Sequence, residues 1–418
     1  MTKPLSESPK ISLKKNFTWA FVGNATSLFC MWLILVVLAK LATVETVGLY
    51  GVAQAVGLPI SMLFGLKLQL AQVTDARRDF DFGHYLALTI LISTATVVTI
   101  GVVAFSIYPF DTAIVMAVLG AEYAVMAFRY LFLAVMQKAE RMDKTVFSQF
   151  LTGTLSITLF GVIFWATRNL ALGMVGLLIS RIITLFAYDY PVAIKLLKAD
   201  GYNKDIVPCW QMDKLWALVK LTAPLGLVAW VGTFFTSIPR LALDKFAGRG
   251  DVGYFVTIST LLVLGNMLMS ALGQSTSPRM AKYYLENRQG YKLLVLKLTG
   301  IAGLTGILGV LISITFGKVI LRLLFTPEYA EHSWLFTQLM VAGTFLFLFA
   351  SMNTALTAAR KFFVQLPIYA FSALVCGISV FALIPRYGMS GAAWSLLICY
   401  CTGFAGCLFF VVLVARKS

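Results

Sequence analysis

Continuous apolar runs of about 25 residues follow one another along the chain, separated by short polar stretches. A helix needs roughly 20 mostly apolar residues to cross a hydrocarbon layer about 30 Å thick. Inside lipid only helices and closed barrels satisfy the backbone, and barrel strands alternate apolar with polar residues. These runs do not alternate. The pattern predicts an all-α polytopic membrane protein with twelve spans, near Phe17–Leu41, Gly48–Thr74, Gly83–Tyr108, Thr112–Gln137, Thr145–Thr167, Leu172–Lys195, Leu215–Leu243, Val252–Ser277, Tyr291–Gly317, Ser333–Ala359, Phe362–Ile384 and Gly391–Ala415. The largest soluble-looking gap, Lys198–Lys214, falls at mid-chain. It predicts an N-terminal lobe over residues 1–197, a cytoplasmic linker over 198–214 and a C-terminal lobe over 215–418.

Two phrases recur half a chain apart. Lys40, Ala42, Val47 and Gly48 return as Lys245, Ala247, Val252 and Gly253, each 205 positions later. Gly173, Met174 and Gly176 return as Gly388, Met389 and Gly391, each 215 positions later. Both echoes fall at equivalent places in the two lobes. Each lobe has an even number of spans, so the two enter the membrane the same way round. That predicts a parallel repeat, two pseudo-symmetric six-helix bundles around a central cavity, which open alternately to either side. Lys and Arg in short loops set orientation. The side with the termini and linker holds about 21, among them Lys14, Lys15, Arg77, Arg78, Arg360 and Lys417, against about seven opposite. Both termini are expected in the cytoplasm.

Composition agrees with lipid as the solvent. The chain is 59% hydrophobic and 12% charged, with a mean hydropathy of +0.85, where an ordinary soluble domain carries about 25% charge. Residues Met1–Lys15 are polar and basic, and the run after them is too long for a signal core, so a retained first span is expected. The net charge of +16 is scattered over many loops, which argues against nucleic acid as a partner. Five of the six cysteines lie inside apolar runs, as small buried hydrophobes do, and no Cys/His zinc spacing or cofactor motif is present.

Charged groups within spans cost roughly 2.5–3.5 kcal/mol each on insertion scales and need a reason. Lys220, Lys297 and Arg240 lie near span ends, where long stems reach water. Lys67 is intermediate, whereas Arg129 and Arg181 are deep. Glu122, seven residues before Arg129 on one helical face, reads as the only carboxylate of comparable depth. It either locks helices by pairing with an arginine or takes part in proton coupling. Either way one deep cation is left over. A chamber lined by Arg129, Arg181 and Lys67 suits an anion, above all phosphate. Asn24, Gln54, Gln69 and Asn266 are weaker candidates for binding sugar hydroxyls, with Tyr123 and Tyr130 beside the charged pair. Such polar residues also bond helix to helix.

The stretch from Val47 to Asp75 resembles bacterial polysaccharide and O-antigen flippases of the multidrug, oligosaccharidyl-lipid and polysaccharide exporter superfamily. Val47-Gly48, Tyr50, Ala53-Gln54-Ala55, Pro59-Ile60, Leu66, Leu68 and Thr74-Asp75 carry the resemblance. It implies a multi-pass protein of the bacterial inner membrane. Its partner would be a polyprenyl-pyrophosphate-linked oligosaccharide, an O-antigen or capsule repeat unit, moved from the cytoplasmic to the periplasmic leaflet. A polysaccharide polymerase and a chain-length regulator are the protein partners expected for such a pathway, and a monomer is the expected state. There are departures. Similar proteins often have Arg where Gln69 stands, and drug exporters of the superfamily use a carboxylate in the first span where this chain has Asn24.

Two other readings stay open. One is a multidrug or other amphiphile exporter of the same superfamily. The other is a membrane-embedded polysaccharide polymerase or ligase, which would need acid–base groups on sizeable loops. Here the predicted outer loops are short, the two histidines are His84 and His332, and no phosphate-binding glycine loop is found. A transporter rather than an enzyme is expected.

Overall fold

The computed structural model describes residues 13–75, 79–199, 201, 206–359 and 361–416; among these there is helix and no strand. The helices are α1 (Leu13–Leu41), α2 (Val44–Gly65), α3 (Leu68–Thr74), α4 (Phe82–Ile107), α5 (Phe110–Lys138), α6 (Met142–Thr167), α7 (Leu170–Thr184), α8 (Tyr190–Ala199), α9 (Met212–Phe246), α10 (Arg249–Ser259), α11 (Leu261–Glu286), α12 (Arg288–Leu324), α13 (Pro327–Glu331), α14 (Ser333–Ala358) and α15 (Phe362–Arg416). A π-helical turn, Leu185–Asp189, joins α7 to α8. All twelve expected spans lie on these helices. Ten stretches among the described residues are long and apolar enough to cross a membrane; one of them, Val364–Leu413, takes in all but the outer ends of the eleventh and twelfth expected spans. The chain turns inside α15 at Gly388, whose φ of 52° and ψ of −128° no helix carries. Four loop residues that entered the orientation argument, Arg77, Arg78, Arg360 and Lys417, lie outside the described residues.

The chain forms two compact units, Met1–Val37 with Val56–Trp230 and Leu38–Ala55 with Val231–Ser418. In the first, α4 and α5 enclose a core that includes Phe82, Tyr85, Leu88, Leu131 and Phe132. The expected linker is partly docked on this unit. Cys209 donates its N–H to the Gly83 carbonyl at 2.9 Å, and Ile206 packs on the core. His84 accepts from the Asp81 N–H on Nδ1, so a neutral ring carries its proton on Nε2, 3.2 Å from Gln211 Oε1. Asp75 ties the connection between α3 and α4, accepting from the N–H groups of Asp79 (3.0 Å) and Phe80 (3.3 Å) and from the Tyr85 hydroxyl (3.2 Å).

The second expected span is not one helix. Leu66 and Lys67 have φ of 48° and 53°, a left-handed conformation that L-residues with side chains seldom adopt. Gly226 on α9 fits against this break; a Cβ there would stand 2.8 Å from Leu66 Cα. Hydropathy averaged over a span does not register such a break, because Leu66, Leu68, Leu70 and Ala71 keep the run apolar around Lys67 and Gln69.

In the second unit, α14 packs against α11, α12 and α15, with Phe347 fully buried beside Met269 and Ala302. The first repeated phrase closes on itself here. A Cβ on Gly48 would meet the Arg249 carbonyl and the Gly253 nitrogen, and a Cβ on Gly253 would meet the Val44 carbonyl. Positions 44 and 249 are repeat equivalents, as are 48 and 253. The crossing of α2 and α10 is therefore isologous, each copy of the phrase seating the other. The second phrase plays one role in both units. Gly176 lets α7 approach the Leu159 backbone of α6, and Gly391 does the same against the Leu383 backbone. Met174 and Met389 are both buried, as are Ser180 and Ser395.

Candidate functional site

Two ion pairs of the first unit are built on α5, Arg129–Asp189 and Arg181–Glu122. Glu122 and Arg129 lie seven residues apart, about two turns, on one face of that helix. α7 supplies Arg181. The π turn supplies Asp189, and its wider turn is closed by the Tyr190 N–H on the Leu185 carbonyl. Such a turn inserts one residue and re-aims the side chains beyond it.

Arg129 is sealed in. Its Nε donates to Asp189 Oδ2 at 2.8 Å and its NH2 group to the Ser148 hydroxyl at 2.9 Å. Ser148 in turn donates to Asp189 Oδ1 at 2.5 Å. The side chains of Arg129 and Asp189 are 4% and 0% exposed. Both carboxylate oxygens and two faces of the guanidinium are thus satisfied, which is what a buried ion pair requires.

The second pair is more open. Arg181 places Nε at 2.7 Å and NH2 at 2.5 Å from the same oxygen, Glu122 Oε1. Its NH1 group lies beside Met126 Sδ. The Arg181 side chain keeps 18% of its surface, and Glu122 7%.

This arrangement corrects the charge count. Glu122 is not the only deep carboxylate, and no deep cation is left over: Arg129 has Asp189 and Arg181 has Glu122. Asp189 was legible only as a charge interrupting the apolar run before Tyr190-Pro191, close to an expected span end.

The other expected site residues fall in both units. In the first unit, Tyr123 packs its ring against Gly57, Tyr130 is 43% exposed, and Gln69 donates to Gln137 Oε1 at 3.3 Å. Lys67 is exposed at the helix break. In the second unit, Gln54 donates to the Tyr50 hydroxyl at 2.8 Å, and Asn266 is half-buried on α11. The Asn24 side chain lies outside the described residues. Within the first unit the structure brings Glu122 to Arg181, with Arg129 about two turns along α5.

No protein-family model matches the chain. It is 27% identical over 388 residues to a capsular polysaccharide biosynthesis protein, CapF, of Staphylococcus aureus, covering 92% of this chain and 95% of that one. Among solved structures, it resembles the inward-facing conformation of a multidrug resistance MATE family transporter of the MOP superfamily. That match has a TM-score of 0.73 at 15% identity, over 98% of this chain and 97% of the other. It also resembles the lipid II flippase MurJ in an inward closed conformation, with a TM-score of 0.73 at 13% identity, over 94% and 87%. At these identities the likeness establishes architecture, and the chain has the two-lobe polytopic membrane fold found in transporters of the MOP superfamily.

Proposed function

We propose that this protein is a flippase for a polyprenyl-pyrophosphate-linked oligosaccharide, an O-antigen or capsule repeat unit, carried from the cytoplasmic to the periplasmic leaflet of a bacterial inner membrane. The repeats at residues 1–197 and 215–418 would open alternately to the two sides, with both termini cytoplasmic. The observation that carries this reading is the Arg181–Glu122 pair: a guanidinium on an apolar helix, ion-paired with Glu122 and with 18% of its side-chain surface still exposed. A pyrophosphate offers more acceptor oxygens than one carboxylate and takes a guanidinium bidentately. The substrate head would displace Glu122 from Arg181 on entry, and Glu122 would reclaim it on release. Arg129, committed to Asp189 and Ser148, holds α5 in place instead of touching substrate. Similarity to a capsular polysaccharide protein along nearly the whole chain favours a sugar-linked cargo. The fold shared with a lipid II flippase is compatible with a lipid-linked one.

Energetics favour outward movement. Each negative charge carried out of an electrically negative interior gains about 2.3 kcal/mol per 100 mV. A pyrophosphate bearing about two charges would be driven by the potential, provided no protein charge returns with it. The test is reconstitution of the protein in liposomes with a fluorescent lipid-linked oligosaccharide. The label is expected to change leaflet chemically unaltered, faster under an imposed potential, and Arg181→Ala is expected to lose the movement. Full activity in Arg181→Ala would sink the pair's assigned role. Movement of cationic dyes and not of the sugar lipid would favour the amphiphile exporter, the reading that the MATE likeness suggests.

A further inference from the structure

The second unit contains a cleft of about 390 Å³ between α12, α14 and the C-terminal part of α15, within the size range of small-molecule sites, about 300–1,000 Å³. Val295, Leu296, Met352, Phe404 and Leu408 make its walls apolar. Two polar side chains in the lining are satisfied internally. The Tyr291 hydroxyl donates to the Ala355 carbonyl at 3.0 Å, and the Thr299 hydroxyl donates to the Val295 carbonyl at 2.8 Å. The cleft therefore offers water almost no partners. It opens on a lipid-facing surface: Leu296 is 68% exposed, and the exposed apolar face of α12 continues through Leu304, Leu311 and Val319. Hydrocarbon is the solvent that meets such a face.

One end of the cleft is charged. Lys292 lines it, is exposed, and makes no hydrogen bond or ion pair with another described residue. Arg288 stands one turn earlier on the same stripe as Lys292 and Leu296, its guanidinium stacked 4.0 Å over the Tyr284 ring. Arg288, Lys292 and Lys297 fall within the first ten residues of α12, and the first turn holds no acidic residue. Cations at a helix N-terminus oppose the macrodipole, and an anion there relieves both.

We propose that this cleft binds an anionic phospholipid of the surrounding bilayer, one acyl chain lying between α12 and α15 and the phosphate held by Lys292. The site is separate from the Arg181–Glu122 pair and does not depend on what that pair carries. Two lipids with the same chains separate charge from hydrocarbon. The purified protein is incubated with phosphatidylglycerol or phosphatidylcholine, and bound lipid is counted by native mass spectrometry, with thermal unfolding read in parallel. The wild type is expected to retain phosphatidylglycerol preferentially and to gain stability from it. Lys292→Gln, an exposed substitution that leaves packing intact, is expected to weaken that retention about fivefold, the effect of one basic residue near a lipid surface. Lys297→Gln removes the same charge away from the lining and is expected to keep the preference. Leu408→Trp narrows the cleft and is expected to reduce retention of both lipids. Equal retention of the two lipids by the wild type, or equal losses in Lys292→Gln and Lys297→Gln, would overturn the site.

Discussion

Arg129 and Arg181 look alike in the sequence, each a lone cation deep in an apolar run, yet their surroundings assign them different work. Arg129 is enclosed with Asp189 and Ser148. Removing one member of a buried pair leaves an uncompensated charge and costs about 3–5 kcal/mol, whereas replacing both with apolar residues is often neutral. Arg129→Leu is therefore expected to unfold at markedly lower temperature than the wild type, and Arg129→Leu with Asp189→Leu to recover most of the loss. Thermal unfolding in nanodiscs measures both, and a double variant as unstable as the single one would show that the pair is not what Arg129 contributes. Arg181→Ala strands Glu122, itself 7% exposed, but at the more open of the two pairs, so it is expected to lose less stability than Arg129→Leu and to fail in the proposed transport. Glu122→Gln separates two ideas about drive: full transport by it rules out an essential proton step at that carboxylate. The depth and chemistry of the arginines were legible from hydropathy alone. Asp189 as a partner was not, because it is aimed by a π turn, and a regular 3.6-residue period gives no sign of an inserted residue.

At the level of the helix, the break between α2 and α3 sets the path of the second span. Leu66 and Lys67 hold left-handed conformations without being glycine, each at roughly 1–2 kcal/mol. Such residues persist where their surroundings over-determine them, and the close approach of Gly226 to Leu66 is a contact placed to do so. Gly226→Val is expected to force the break and α9 apart and to destabilise the protein by about 1–3 kcal/mol, the usual cost of overpacking. Proteolysis of the α2–α3 segment, faster in Gly226→Val than in wild type, would report the local opening. Unchanged cleavage and stability would mean that Gly226 is not the support. Lys67→Gly, by contrast, eases the backbone while removing a charge. Normal stability with lost transport in that variant would place Lys67 back among the substrate-binding candidates. The sequence showed this span as continuous, since an apolar run carries no mark of a backbone reversal made by Leu and Lys.

Across the whole chain, the recurrence of one short phrase is explained by a contact that needs both copies. Gly48 rests on the carbonyl of Arg249 and Gly253 on the carbonyl of Val44, so an approximate two-fold relation passes through the crossing of α2 and α10. The repeat was visible as matching residues 205 positions apart; that the matching residues touch each other was not, because spacing along a chain says nothing about which elements meet. The symmetry makes a quantitative demand. A single methyl at either glycine must push the same two helices apart, and once they have separated the second methyl meets little resistance. Gly48→Ala and Gly253→Ala are each expected to cost about 1–3 kcal/mol. The double variant is expected to cost much less than the two together, with a coupling of about 0.5–3 kcal/mol as residues in contact show. Chemical or thermal unfolding of the four proteins under one lipid condition closes the cycle. Strictly additive losses would mean that each glycine answers to its own surroundings, and the echo would then be a trace of duplication without a shared mechanical role.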